Sequence, residues 1–185
     1  MPAHHFVVPG PPILLPLGFL LMAVSWAVLR RRDELTARRV AAAWLGGWYA
    51  VAVLGATLLP LHLSWGEGAD PQYFRINPIP LVHLRPSDFV LNIVMTLPLA
   101  PVLAVLFGLR DRARVLRVAV LLSAAVEVTQ CVLILTVHDN RWAEANDLIA
   151  NVLGAYLGYL AFHRLLSFPA VRRAVDSSAP ARQRA

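Results

Sequence analysis

Five apolar stretches, each long enough to cross the hydrocarbon core of a bilayer as a helix, take up most of this chain, and nearly all its charges fall in the gaps between them. Such a crossing takes about 20 residues, within a range of roughly 17–25. The stretches cover residues 11–29, 40–61, 88–108, 115–137 and 147–168. Lipid offers no partner for unpaired backbone N–H and C=O groups, so segments of this kind are helical. The expectation is an all-α integral membrane bundle of about five transmembrane helices, with residues 1–170 as one domain and 171–185 as a basic disordered tail. The first stretch precedes Arg30, Arg31 and Arg32 instead of following a basic segment, so it reads as an anchor and not as a cleavable leader.

Composition agrees. Charged residues make up 15% of the chain, against about 25% in soluble domains. The net charge of +6 comes from 17 basic residues, all arginine, but their place at helix ends excludes a nucleic-acid partner and suits headgroups. Fourteen arginines fall after the first, third and fifth stretches, and only Arg75, Arg85 and Arg141 on the other side. The positive-inside rule then places the N-terminus outside and the C-terminus in the cytoplasm, as expected of a multi-pass protein of the cell membrane. Trp26, Trp44 and Trp48 are expected near inner ends of spans, with Trp65 and Trp142 near outer ends. The gap 62–87, broken by proline and glycine, does not cross. Cys131 is a lone cysteine in an apolar run, which excludes an internal disulfide, and no His, Asp and Glu set has metal-ligand spacing; neither metal nor cofactor is expected.

The last three stretches carry polar stripes. Asp88, Asn92 and Thr96 recur every four residues; Ser123, Glu127 and Gln130 share a face of the fourth stretch; Asp147, Asn151, Gly154 and Gly158 share one of the fifth. At about 1.5 Å per residue, Asn92 and Asn151 lie roughly 6 Å inside their outer ends, Gln130 about 10 Å and Glu127 about 15 Å. A carboxyl group at the bilayer centre costs several kcal/mol unless it faces the interior and is paired or protonated. The three stripes therefore predict one outward-opening pocket, lined by Asp88, Asn92, Glu127, Gln130, Asp147 and Asn151, with Arg141 at its mouth. The competing reading is that these groups only join helices by hydrogen bonds of about 1 kcal/mol each. Gly154 and Gly158 form a small-xxx-small step for close helix packing, and Pro98 and Pro101 are expected to bend the third helix.

The run Asp88, Asn92, Pro98, then Glu127 and Gln130, then Arg141, Asp147, Asn151, Gly154 and Gly158 resembles the membrane-protein family named after VanZ, which is associated with resistance to the glycopeptide teicoplanin. The likeness spans residues 88–159, within a core of about 75–168. The chain departs from the family pattern at Thr96, in place of an aromatic, at Ala100, in place of a glycine, and at Asn146, where a second Asp is usual. The resemblance implies a non-enzymatic protein that lowers sensitivity to glycopeptide-type antibiotics, with membrane lipid and a lipid-linked envelope precursor or lipoglycopeptide as partners. Residue chemistry alone leaves two further readings open. One is a membrane enzyme with Glu127 as general acid or base and Arg141 holding an anionic headgroup; the other is proton-coupled transport.

Overall fold

The computed structural model describes residues 4–67, 69–70, 72–82 and 84–178. In chain order these form β1 (His4–Val8), α1 (Pro11–Arg31), α2 (Ala37–Leu58), β2 (Leu61–Trp65), a short 3-10 turn (Tyr73–Arg75), β3 (Ile76–Asn77), α3 (Pro86–Thr96), α4 (Leu99–Phe107), α5 (Arg112–Val137), β4 (Ala143–Glu144), α6 (Ala145–Leu165) and α7 (Pro169–Ser178). The architecture is all-α, as expected. Four helical segments among the described residues are long and apolar enough to cross a membrane: α1, α2, α3 with α4, and α5. α6 matches them in length at 21 residues, but its polar stripe and the terminal His163 and Arg164 make it less apolar.

The third stretch runs as one span whose hydrogen-bond ladder lapses at Leu97 and Pro98, where the backbone keeps right-handed helical angles. Pro98 and Pro101 lack the N–H groups that would bond the carbonyls of Val94 and Leu97, so α3 stops at Thr96 and α4 restarts after Pro98. The break is where α6 approaches closest. A Cβ on Gly158 would lie 2.9 Å from the Leu97 carbonyl carbon, and one on Gly154 would lie 2.8 Å from Ile93 Cα. The missing side chains let α6 seat its backbone on the freed Leu97 carbonyl, which is the packing role expected of both glycines. Below the break Leu99, Ala100, Leu103, Val115, Ala119 and Ala155 form the apolar core.

α1 and α2 form a hairpin beside this core. Trp48 lies near the middle of α2, not at its inner end; its ring occupies the space that a Cβ on Gly18 would need, and its indole N–H points at Met22 Sδ, 3.2 Å away. Trp44 donates to the Met22 carbonyl at 3.2 Å. Helix packing, rather than the interface, thus explains Trp44 and Trp48. The hairpin brings the segments flanking it together, and β1 and β2 pair antiparallel from His4 opposite Trp65 to Val8 opposite Leu61.

Part of the expected disordered tail is helical. α7 buries Val175 against Ala104 and Phe162, and is tied down by an Arg110–Asp176 ion pair at 2.8 Å and an Arg38–Ser177 hydrogen bond at 3.0 Å. Its apolar residues fall on one face, a pattern that a high count of arginines hid. Residues 179–185 of that tail lie outside the described residues.

Candidate functional site

The site is assembled around the end of α2. A helix that stops inside an apolar bundle leaves its last carbonyls without donors, at a cost of several kcal/mol each in lipid. Here side chains from two distant elements supply the donors. Gln130 on α5 donates from Nε2 to the Thr57 carbonyl at 2.8 Å. Arg141 donates from one amino group to the Ala56 carbonyl at 3.0 Å and from the other to the Leu59 carbonyl. A cation at the negative end of a helix is favourable on electrostatic grounds too. Burial lowers the pKa of Arg141, partly offset by neighbouring Asp139.

Arg141 reaches this position because the loop 138–144 folds down into the bundle. Asp139, fully buried, accepts the backbone N–H groups of His62 at 3.1 Å and Asn140 at 2.9 Å. The loop ends at β4, which pairs parallel with β3, Ile76 opposite Ala143 and Asn77 opposite Glu144. Its descent brings the Glu144 backbone N–H within 2.9 Å of Glu127 Oε2. Glu127 is therefore met by the N-terminal end of α6 and fixed in orientation, a contact that the helical rise alone does not reveal.

The other residues complete a ring. Asn92 on α3 and Asp147 on α6 line the cavity together. Asn151 donates to Ser123 Oγ at 2.9 Å, with both side chains buried. All seven expected pocket residues, Asp88, Asn92, Glu127, Gln130, Arg141, Asp147 and Asn151, line one cavity of about 590 Å³. Among the described residues no set of three or more His, Cys, Asp or Glu is arranged to hold a metal ion.

Two residues outside the expected site, Arg85 and Trp142, line the same cavity. Arg85 pairs with Asp88 at 3.1 Å and with the buried Glu144 at 3.3 Å, and its guanidinium lies 5.2 Å from the centre of the Trp142 ring. The i,i+3 spacing of Arg85 and Asp88 is a signal in the sequence; the partnership with Glu144 is not, because it depends on the descent of the loop. Nearby, Asn146 holds the 79–82 segment, accepting from the Leu81 N–H at 2.7 Å and donating to the Val82 carbonyl at 3.1 Å.

The site separates spent from unspent groups. Arg85 is bonded through Nε and one amino group, and Arg141 through both of its amino groups. Gln130 Oε1 and Asn151 Oδ1, on side chains only 5% exposed, and Arg141 Nε are buried without a hydrogen-bond partner. The cavity as built therefore offers two open amide oxygens as acceptors and one open guanidinium N–H as a donor, beside three carboxyl groups.

A family model described as VanZ/LLP1 matches residues 47–167. No curated protein and no solved structure matches the chain.

Proposed function

The chain belongs to the VanZ/LLP1 family, and on that premise we propose that it is a multi-pass protein of the cell membrane that binds a lipid-linked envelope molecule in an outward-facing polar cavity and lowers sensitivity to glycopeptide-type antibiotics. One observation carries the reading. Groups from α3, α5, α6 and the 138–144 loop converge on a single cavity. The arginine-rich gaps fall after the first, third and fifth apolar stretches, and the positive-inside rule supports a cavity turned toward the outer leaflet.

Expression in a teicoplanin-sensitive bacterium tests this. The tolerated concentration is expected to rise, and Glu127→Gln is expected to cancel the rise while the protein still inserts. No rise with the unaltered chain, or an undiminished rise with Glu127→Gln, would overturn the proposal.

The competing reading is an enzyme acting on an envelope lipid with Glu127 as general acid or base. The Glu144 N–H that orients the carboxyl group favours it, since proton transfer needs a positioned group. Turnover of extracted envelope lipid by the purified protein, lost in Glu127→Gln, would establish that reading instead.

A further inference from the structure

A second cavity adjoins the first. It has a volume of about 680 Å³ and runs between the α1–α2 hairpin and α3, α4 and α5. Its walls are almost wholly apolar, with Val24, Val53, Leu103 and Leu106 typical of them. Thr57, Met95, Val126 and Asn151 line both cavities, so the apolar one opens from the floor of the polar one. At about 30 Å³ for a water-sized group, it holds on the order of 20 methylene-sized groups, the bulk of one long hydrocarbon chain.

The two compartments have the polarity of one amphiphile. The polar compartment also has a pattern: the Gln130 and Asn151 amide oxygens are open acceptors and the Arg141 Nε–H is an open donor, a mixture that suits hydroxyl groups, which donate and accept at once. At the junction, the unpartnered Asn151 Oδ1 and Gln130 Oε1 suit a donor beside the head-to-tail linkage.

We propose that the ligand is a glycolipid-like amphiphile, its hydroxyl-rich head among Glu127, Asp147 and Asn151 and its single hydrocarbon tail in the groove between the α1–α2 hairpin and α4. This rests on the binding reading above and names the ligand class for it. It also gives the hairpin a role beyond anchoring, since α2 supplies one wall of the groove.

The test uses the full chain in lipid nanodiscs and an alkyl glucoside carrying a diazirine at the end of its tail. Labelling is expected to be saturable, to fall on groove residues of α2 and α4, and to be displaced about tenfold more effectively by dodecyl glucoside than by dodecyl phosphocholine. Ala50→Phe and, separately, Ala43→Phe fill the groove and are expected to lower labelling about tenfold. Leu45→Phe, at a position 73% exposed and outside the groove, should leave labelling unchanged. Unsaturable labelling, or labelling undiminished in both groove variants, overturns the tail site; equal displacement by dodecyl phosphocholine overturns the hydroxyl-rich head. The two readings fail separately. Tolerance that depends on Glu127 without groove labelling leaves the polar cavity standing and refutes the groove; groove labelling with tolerance indifferent to Glu127→Gln supports the groove and refutes the resistance role.

Discussion

Gly158→Ala puts the packing of α6 on the α3–α4 break to a direct test. The added methyl would sit 2.9 Å from the Leu97 carbonyl carbon, where an ordinary carbon–carbon contact is about 3.5–4.0 Å. The obstacle is backbone, with no rotamer to escape into, so α6 must back away by roughly 1 Å. Overpacking of this kind costs up to about 3 kcal/mol, and replacing a helical glycine by alanine returns about 1 kcal/mol. The net loss of about 2 kcal/mol corresponds to a fall in melting temperature of roughly 4–8 °C for a chain of this size. Thermal unfolding in detergent micelles measures it, with Gly47→Ala as the control. A Cβ there would meet only Leu21 at 3.5 Å, so that variant should gain up to about 1 kcal/mol. Equal or higher stability for Gly158→Ala would refute the close approach of α6 to Leu97, and with it the placement of Asn151 and Asp147 two to three turns along the same helix.

Further outcomes are expected. Arg141→Leu removes both donors to the α2 carbonyls and should cost at least about 3 kcal/mol of unfolding free energy, at about 1.5–3 kcal/mol per charge-assisted hydrogen bond, whereas Arg141→Lys keeps the charge and one bond and should lose about half as much; equal stability for all three proteins would exclude a capping role. Arg85→Ala leaves Glu144, only 3% exposed, without its cation, and should destabilise the protein by about 1–3 kcal/mol by denaturant titration, with a loss below about 0.5 kcal/mol contradicting the pairing. Glu127→Leu separates a scaffold from a site: a scaffold keeps or gains stability and keeps any antibiotic tolerance, while a site loses the tolerance and still inserts. A fluorescent protein fused after Ala185 is expected to fluoresce and alkaline phosphatase at the same point to stay inactive; the reverse pair of results would invert the cavity's orientation.

Periodicity makes the ring of seven residues legible in the sequence, because a carboxyl or amide group in lipid has to face inward and three stripes at helical spacing define three inward faces. The helix limits were legible for the same reason; α5 ends at Val137 as expected. What stayed hidden depends on chain segments with no periodic pattern. The 138–144 loop folds into the bundle because Asp139 and Arg141 find backbone partners there, and neither partner is near them in sequence. Trp48 looked like an interfacial anchor since its only local signal is its ring; Gly18, thirty residues earlier, makes the hole that the ring fills. The helix α7 was masked by its charge, although Val171 and Val175 already sit four residues apart on a face that packs under α4.

The choice between a ligand site and polar glue turns on where each donor and acceptor goes. Glue predicts mutual satisfaction: every buried group has a protein partner, since an unpaired one in lipid is more costly than no polar group at all. Much of the ring obeys this. Arg141 and the Gln130 amide nitrogen cap α2, the Asn151 nitrogen meets Ser123, and the Glu144 N–H meets Glu127. Capping α2, however, needs donors only, and leucine in place of Glu127 or Asp147 would pack without any desolvation penalty. The groups that glue leaves over belong to residues lining one cavity: the open oxygens of Gln130 and Asn151 and the open Nε–H of Arg141, beside the carboxyl groups of Glu127 and Asp147. Unpaired acceptors and an unpaired donor gathered at one cavity are what a ligand that both donates and accepts would satisfy, and interhelical pairing alone has no use for them.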